Sequence, residues 1–330
     1  MVAQIDSNFI RLSWKKAYTR YLSYAFYEGR PLTTKGRWIN PLIFFLYRVQ
    51  QYSPFVRKVK QPIFILGTGR SGTTILGVTL AMHRAVGFLN EPKALWSHLY
   101  AGEDLIGSYN LNAARYRLGR ADVDKEIILR AHRILGNYLV WSLSERVVDK
   151  YPELIFRFDF VRAIFPDAKF LFLYRDGVDT CHSIKKWSDR LGVKVHEESH
   201  DWWGLNNRKW EFLCEQVVSA DPVIGEHVDK IRRYSNHEQM AAVEWIVTMK
   251  EGLHLVAEHP DVVLPVKYED YVESPDYRRR ILEFCGLAMD EKYNQYCSMV
   301  LSRPVAKSKI ALPIEIEGEF NRVMGMLGYE

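Results

Sequence analysis

The stretch 62–76 constrains the fold of this chain more than any other part of the sequence. It begins with a short apolar run, 63–66, which is typical of a buried strand. A glycine-rich turn follows at 67–72, and then an apolar run at helical spacing, 75–82. Small residues let the backbone approach an anion, and the N-terminus of a helix directs unpaired N–H groups towards it. The stretch therefore predicts a phosphate-binding loop between a strand and a helix.

The loop differs at one position from the Walker A motif of nucleotide kinases and ATPases. Gly67 and Gly72 have the spacing of that motif, but Thr73 stands where those enzymes have a lysine. The positive charge is instead Arg70, inside the loop. We therefore expect the loop to bind a phosphate of a ligand other than Mg-ATP.

Length and charge narrow the class of protein. A chain of 330 residues, 48% of them hydrophobic, can form one large α/β domain with or without an appended segment. Residues 1–60 carry eleven lysines and arginines against Asp6 and Glu28, a net charge of +9, and since the whole chain has +5, residues 61–330 carry about −4. No basic stripe or nucleic-acid-binding motif of the usual kinds is present, so we expect no nucleic-acid partner.

The cysteines and the apolar runs bear on the cellular compartment. Cys181, Cys214, Cys285 and Cys297 are widely spaced and form no C-x-x-C pair, which favours buried reduced thiols over a zinc site or disulfides. The N-terminus lacks the basic and apolar regions of a signal peptide, and the longest apolar run, 42–47, is too short to cross a bilayer. We expect a cytoplasmic protein without a bound metal.

Residues 1–60 are predicted to form an N-terminal helical extension to a main domain at 61–330. The aromatic residues at roughly helical spacing in this segment are Trp14, Tyr18, Tyr21, Tyr24 and Phe26. The favoured interpretation is an extension that packs against the main domain. The alternative is a basic and aromatic surface that makes peripheral contact with a membrane or with an anionic acceptor.

The remaining strands indicate the fold class. Further apolar runs typical of strands lie at 86–92, 147–152, 169–174 and 262–268, and helical patterns separate them. This alternation predicts an α/β fold, a P-loop-like parallel sheet flanked by helices. Ligands bind at the carboxyl ends of the strands in such sheets. The charged residues at those ends are Arg70, Glu91, Lys150 and Arg175.

The segment 188–210, which we call the lid segment, is polar and rich in tryptophan. It contains Trp202, Trp203 and Trp210, with His196 and His200 among them. Tryptophans belong to the core more often than to a ligand site. Their placement in a polar stretch nevertheless predicts a lid over the acceptor, in which an indole stacks on a sugar or an aromatic ring.

A second anion site is predicted at the end of the strand 169–174. Arg175 ends this strand, and Ser183 lies eight residues further on, two turns into the following helix. A guanidinium and a hydroxyl in this arrangement can bind one phosphate together. A kinase would have an acidic metal ligand where Arg175 stands. Two anion sites without metal ligands predict a nucleotide that carries phosphates at both ends.

Both motifs resemble the signatures of one known family. The loop from Gly69 to Thr74, G-R-S-G-T-T, and the run from Tyr174 to Ser183 are similar to the 5′-phosphosulfate loop and the 3′-phosphate site of the PAPS-dependent sulfotransferases. The likeness is strongest to the branch with R-S-G-T-T loops, which includes the tyrosylprotein sulfotransferases and many bacterial enzymes. It extends over about 62–285.

The resemblance implies PAPS as the sulfuryl donor and a role for individual residues. In this branch the loop arginine, here Arg70, binds the phosphosulfate, and a glutamate twenty-one residues later, here Glu91, is the general base. A lysine in an N/D-K-x-P setting, here Lys150, stabilises the transferring group. The implied nucleotide contacts are Gly69, Arg70, Ser71, Gly72, Thr73, Thr74, Arg175, Ser183 and Tyr268.

Several alternatives stay open at this point. His98 or His132 could serve as the base, because other sulfotransferase branches use histidine. Glu91 could be an ordinary loop carboxylate, and Lys150 an ordinary solvated lysine. Lys307 and Ser308 are candidates for nucleotide contacts near the C-terminus, where the family pattern is poorly matched.

The predicted reaction is an in-line displacement at sulfur, by analogy with phosphoryl transfer. Arg70 and Lys150 would stabilise the charge that develops on the oxygens, and Glu91 would accept the proton of the attacking hydroxyl. The sequence thus predicts a metal-independent sulfotransferase with a hydroxyl acceptor. A carbohydrate or glycolipid is favoured, while a peptide tyrosine or a small or lipid-like alcohol stays open. The rival hypotheses are a P-loop kinase and a non-catalytic nucleotide-binding scaffold.

Overall fold

A computed structural model describes residues 3–54, 56–195, 197–303 and 309–329. Three residues with predicted roles, His196, Lys307 and Ser308, lie outside the described residues. The strands in the described part of the chain are β1 (Ile63–Gly67), β2 (Val86–Asn90), β3 (Arg146–Lys150), β4 (Lys169–Tyr174), β5 (Val193–Val195), β6 (Glu198–Asp201), β7 (Gly204–Leu205) and β8 (Val263–Lys267).

The helices alternate with these strands along the chain. They are α1 (Ser7–Leu12), α2 (Trp14–Phe26), α3 (Asn40–Gln50), α4 (Thr73–Met82), α5 (Lys93–Leu99), α6 (Lys125–Trp141), α7 (Phe158–Ile164), α8 (Gly177–Leu191), α9 (Arg208–Gln216), α10 (Val228–Ile231), α11 (His237–Glu258), α12 (Tyr268–Glu273), α13 (Pro275–Phe284), α14 (Glu291–Val300) and α15 (Ile314–Met326). A 3-10 helix, Pro152–Arg157, follows β3.

Five strands form a parallel sheet in the order β2–β3–β1–β4–β8. The chain leaves β1 towards β2 and β3 on one side and reaches β4 and β8 on the other. The loop after β1 therefore opens at the point where the strand order reverses, which is where ligands bind in open α/β sheets. The predicted α/β fold, a parallel sheet flanked by helices, is confirmed.

The alternation of side chains along β1 produces a core on each face of the sheet. Phe64 and Leu66 belong to the cluster that includes the buried sides of α6, α8 and α11. Ile63 and Ile65 point the other way, into the cluster formed with α4, α13 and α14. All five residues of β1 are buried because helices cover both faces, as is usual for parallel sheets.

The segment 1–60 is helical and contributes to both cores. Phe9 of α1 packs in one cluster, and Tyr47 of α3 is buried in the other. Between α2 and the following loop, Arg20 and Glu28 form a buried ion pair at 2.6 Å. The division of the chain into an extension at 1–60 and a domain at 61–330 stays a prediction.

The lid segment contains a small antiparallel sheet, β5–β6–β7, between α8 and α9. Trp203 and Trp210 are buried and meet edge to face at 5.4 Å between ring centroids, so they are core residues. Trp202, which immediately precedes Trp203, is only partly buried and faces the cleft described below. The four cysteines are buried and free, as predicted. Among the described helices, none is both long and apolar enough to cross a membrane.

Candidate active site

The loop between β1 and α4 has the geometry of an anion cradle. Gly67 has a φ of +137°, and a Cβ at this position would lie 2.2 Å from the Leu173 carbonyl oxygen. Gly72, at φ +105°, immediately precedes α4, and a Cβ there would lie 2.3 Å from the Tyr268 ring. Only glycine fits at these two positions. The backbone can therefore turn tightly and present the N-terminus of α4 to the cleft.

The predicted loop residues divide into two groups. Gly69, Gly72, Thr73 and Thr74 line the cleft together with Arg70. Ser71 is fully buried instead, and its hydroxyl donates to the Thr68 carbonyl oxygen at 2.6 Å. Ser71 therefore stabilises the turn rather than facing a ligand with its side chain.

Arg70 brings the two predicted anion sites together. Its backbone adopts a φ of +70°, in the left-handed region. Its Nε donates to Ser183 Oγ at 3.1 Å, although the two residues are 113 positions apart. Partial burial, followed by the positive charges of Arg190 and Arg175, lowers the pKa of Arg70. Such a concentration of like charge is typical of a site for an anion.

Arg175 and Tyr268 lie on the same side of the cleft. Arg175 Nη2 donates to Asp179 Oδ2 at 2.6 Å, one helical turn further on. Its guanidinium lies 4.9 Å from the centre of the Tyr268 ring. Tyr268 packs against Gly72 and Arg175 and is not among the residues that line the cleft, so it supports the loop from behind.

Glu91 and Lys150 face each other at the ends of β2 and β3. The Glu91 N–H donates to the Lys150 carbonyl oxygen at 2.7 Å, and Lys150 Nζ donates to Glu91 Oε1. Glu91 is the first residue after β2 and has a φ of +50°, in the left-handed region. Lys150 is buried, with 2% of its surface exposed, so it is not an ordinary solvated lysine.

The charge state of Glu91 follows from its neighbours. Burial raises the pKa of this carboxyl, but the ammonium groups of Lys150 and Lys93 outweigh it, and the net pKa is lowered. Lys93 Nζ lies 3.7 Å from Glu91 Oε2. Glu91 is therefore ionised at neutral pH and can accept a proton.

The two histidines considered as bases lie elsewhere. His98 Nε2 is 3.2 Å from Gln51 Oε1, and burial, followed by the charges of Arg130 and Arg48, lowers its pKa to about 4. His132 Nε2 is 2.9 Å from the Ile164 carbonyl oxygen. Neither histidine lines the cleft, whereas Glu91 does.

The cleft has a volume of about 730 Å³ and unites the residues described above. Its lining includes Arg70, Glu91, Lys150, Arg175 and Ser183. Trp202 of the lid segment closes one side. In the part of the chain that the structure describes, no group of three or more His, Cys, Asp or Glu residues is arranged to hold a metal ion.

One wall of the cleft was missed by sequence reasoning. Residues 28–35 of the N-terminal segment line it, which makes this segment part of the candidate site. Glu28 fixes the wall to β2, because its Oε1 accepts the Asn90 N–H at 2.6 Å, next to Glu91. A signal was available in the sequence: Glu28 and Asp6 are the only acids in a segment with eleven cations.

Comparison with known proteins agrees with this architecture. A model of the sulfotransferase family matches residues 62–199. The protein-tyrosine sulfotransferase of Drosophila melanogaster is 32% identical over 161 residues, which are 42% of this chain and 32% of that protein, so the match spans about a third of the relative's length. The crystal structure of sulfotransferase STF9 from Mycobacterium avium has a TM-score of 0.51 at 12% identity, covering 96% of this chain and 87% of that one.

The two kinds of match support each other. The likeness to STF9 shows that the fold is shared. The segment matched by the family model contains both anion-binding motifs together with Glu91 and Lys150. Residues 62–199 therefore match the sulfotransferase family, and the chain has the sulfotransferase fold.

Proposed function

We propose that this protein transfers a sulfuryl group from PAPS to an acceptor hydroxyl and releases PAP. The observation that carries the proposal is a single cleft in which the loop residue Arg70 meets Ser183, while the Glu91–Lys150 pair opens on the same space. We call the part formed by 67–74, Arg175 and Ser183 the donor side. The acceptor side comprises Glu91, Lys150, Trp202 and the wall 28–35.

The residues of the donor side fit a nucleotide with phosphates at both ends. Thr73 Oγ1 and Arg175 Nε are buried and have no hydrogen-bond partner among the described residues. Both residues line the cleft, where an anion would satisfy these atoms. The N-terminus of α4 and the Gly72 cradle would hold the 5′-phosphate, and Arg175 with Ser183 the 3′-phosphate.

The acceptor side supplies the proton chemistry. PAPS, when bound, provides the sulfuryl group. Glu91 accepts the proton of the acceptor hydroxyl as the new S–O bond forms and the bond to the 5′-phosphate oxygen breaks. Lys150 and Arg70 stabilise the negative charge on the oxygens without needing a metal. We therefore expect full activity in the presence of EDTA.

The acceptor is proposed to be a carbohydrate or glycolipid hydroxyl. Trp202 offers an indole face at the cleft, and Trp187 packs against it edge to face at 5.4 Å between ring centroids. Sugars stack on such faces while polar groups bind their hydroxyls, and Asn90 and Ser108 are available in the lining. A peptide tyrosine and a small or lipid-like alcohol are the competing acceptors, and a panel of all three classes decides among them.

Assays with two alternative donors distinguish the proposed sulfotransferase from a kinase. The protein is incubated with each acceptor and either radiolabelled PAPS or Mg-ATP, and PAP and ATP binding are measured by calorimetry. We expect transfer from PAPS and PAP binding without added metal. ATP binding without PAP binding would establish the kinase instead. PAP binding without transfer to any acceptor would favour a non-catalytic scaffold.

Peripheral contact with an anionic membrane surface is also part of the proposal. Trp38, Leu42, Phe45, Val49 and Tyr52 recur every three or four residues on and around α3, and all are exposed. No acidic residue occurs at 29–90, and the exposed cations Lys35, Arg37 and Arg48 flank the stripe. Two copies of the protein meeting through this face would bring like charges together, whereas anionic lipids would neutralise them.

Vesicle sedimentation tests this contact. We expect binding to phosphatidylglycerol-containing vesicles, weak binding to pure phosphatidylcholine, and loss of binding in Trp38→Ser/Phe45→Ser. Leu111→Ser, an equally exposed apolar site elsewhere, is the control. Equal binding by the double variant, or self-association of the wild type in place of vesicle binding, would refute the membrane contact.

The buried free cysteines support a cytoplasmic, reducing location for such an enzyme.

A further inference from the structure

A row of alternating charges starts at Glu91 and runs away from the reacting centre. Lys93 Nζ lies 3.7 Å from Glu91 Oε2 and 3.3 Å from Glu153 Oε1. Lys209 Nζ lies 3.2 Å from the same Glu153 oxygen and 2.6 Å from Glu244 Oε1. We call Lys93, Glu153, Lys209 and Glu244 the ion-pair row. Its members come from α5, the 3-10 helix Pro152–Arg157, α9 and α11.

The row ends at the tryptophan that covers the phosphate loop. Trp202 Nε1 donates to Glu244 Oε2 at 2.7 Å, and Lys209 Nζ lies 4.9 Å from the centre of the Trp202 ring. The ring lies so close to Gly69 that a Cβ there would be 2.3 Å from it. The candidate base and the donor loop are therefore joined by an unbroken set of contacts.

The row is buried, which argues against a role in stability alone. The side chains of Lys209 and Glu244 are 3% and 6% exposed, and those of Lys93 and Glu153 are both 11% exposed. Buried ion pairs gain little net stability, because desolvation offsets most of the attraction. Despite burial, the acids raise the pKa values of Lys93 and Lys209, and the lysines lower that of Glu153, so all three stay charged.

We propose that the ion-pair row positions the carboxylate of Glu91 and couples it to Trp202, so that occupation of the donor loop and placement of the base depend on each other. The inference deepens the proposed function and rests on it, because it takes Glu91 as the base. Lys93 is a positioning residue here. It directs Glu91 Oε2 while Lys150 holds Oε1, which leaves the carboxylate in one orientation.

Lys93→Met tests the first half of the proposal. The charged groups that face Glu91 are Lys150, Lys93, Glu153 and Arg70. Removing Lys93 takes away one of the charges that lower the pKa of Glu91, so the acid limb of the kcat profile moves up by about one pH unit. Lys93→Arg returns the positive charge, so we expect the acid limb to lie at the same pH as in the wild type. PAP binding by both variants is measured as well, to establish that the donor side is still formed.

A different pattern would overturn this role. If Lys93→Met lowers kcat equally at every pH, or Lys93→Arg fails to restore the acid limb, Lys93 does not position Glu91. The matched control is Lys250→Met on α11, which removes ion pairs with Asp221 and with Glu319 of α15, outside the cleft. We expect no shift of the acid limb in this control.

Glu244→Gln tests the coupling to Trp202 without requiring turnover. Hydrogen exchange of 198–205 is measured with and without PAP. We expect PAP to protect this stretch in the wild type and at least threefold less in Glu244→Gln. Because Glu244→Gln leaves buried Lys209 with only one of its two carboxylate partners, the double variant Lys209→Met/Glu244→Gln is measured too, and the same loss of protection is expected.

The outcomes distinguish the inference from the proposed function. A wild type that binds PAP without protecting 198–205, or a double variant that folds and keeps full protection, overturns the coupling. Absence of sulfuryl transfer by a wild type that does protect 198–205 overturns the proposed function while the coupling stands. Absence of PAP binding overturns both.

Discussion

The donor side of the cleft is formed by two short segments that follow β1 and β4, whereas the acceptor side is assembled from four separate parts of the chain. On the donor side, 67–74 follow β1 directly, and Arg175 and Ser183 follow β4. On the acceptor side, Glu91, Lys150, Trp202 and the wall 28–35 come from four separate segments. The proposed phosphate site thus depends on local backbone geometry, and the proposed acceptor site depends on tertiary packing.

This difference has a physical origin. A strand, a glycine turn and a helix N-terminus create an anion site whatever surrounds them, since the N–H groups belong to the backbone. The position of Glu91 instead depends on side chains that reach it from other elements, such as Lys93 and Lys150. We therefore expect substitutions on the two sides to separate donor binding from turnover.

Glu91→Gln is expected to have the largest effect. It keeps the shape of the side chain but removes the proton acceptor, so kcat falls by about 10³-fold. PAP affinity changes by less than about twofold, as measured by calorimetry, because the donor side is intact. The control is Glu226→Gln, whose carboxylate is 74% exposed. Unchanged turnover in Glu91→Gln would remove Glu91 from the role of base.

Arg70→Ala should impair both functions. Loss of a guanidinium at the site of developing charge lowers kcat by about 10²-fold. PAP affinity falls as well, because Arg70 organises Ser183 on the donor side. Arg84→Ala, at an arginine whose side chain is 75% exposed, is the matched control. If Arg70→Ala weakened neither PAP binding nor turnover, the loop would not be the donor site.

Ser183→Ala is expected to act on binding more than on turnover. A hydroxyl that contributes one hydrogen bond to a charged phosphate is worth about tenfold in affinity. PAP binding by calorimetry should fall by this amount, while kcat at saturating PAPS changes little. Ser298→Ala, at an exposed position of α14, serves for comparison. A large loss of kcat at saturation would place Ser183 at the reacting centre instead.

The smallest effect is expected beneath the acceptor side, at Asp149. Burial raises the pKa of this carboxyl from 3.8 to about 8 in the folded protein. Between pH 3.8 and about pH 8, Asp149 is therefore protonated in the folded state and ionised in the unfolded state. The folded state then binds more protons, and stability falls as pH rises through this window.

Asp149→Asn should abolish this dependence. We expect the Tm of the variant to exceed that of wild type by a few degrees at pH 8, and the difference to vanish near pH 4. Asp149 Oδ2 accepts the Trp96 indole N–H at 2.8 Å, and an amide oxygen can do the same. Asp189→Asn, at an exposed carboxylate, is the control. If Asp149→Asn had a lower Tm than wild type at pH 8, Asp149 would be ionised in the folded state and its charge would stabilise the fold.

The sequence predicted the donor side and the sheet more fully than the rest. Buried runs and glycine spacing are local signals, and they predicted β1, its loop and the place of Arg175. Nothing local distinguishes Trp202 at the cleft from Trp203 and Trp210 in the core, because an aromatic cluster does not reveal which ring faces solvent. The wall 28–35 was missed for a similar reason, since only packing against β2 brings it to the cleft.

The ion-pair row could not be predicted from spacing. Its four members are spread from 93 to 244 and have no common motif. Each is an ordinary lysine or glutamate until the fold brings it beside the next. Lys93 lies two residues after Glu91 and Glu153 three residues after Lys150, but neither spacing indicates that the two form an ion pair.

The left-handed backbone at Arg70 and Glu91 has a consequence for engineering this protein. Both residues occupy a conformation that favours glycine, at φ +70° and +50°. A non-glycine residue there costs about 1–2 kcal/mol. Selection for heat resistance alone would therefore enrich glycine at the two positions that carry the proposed chemistry. A library screened only for melting temperature would deliver robust but inactive proteins, so activity has to be part of the screen from its first round.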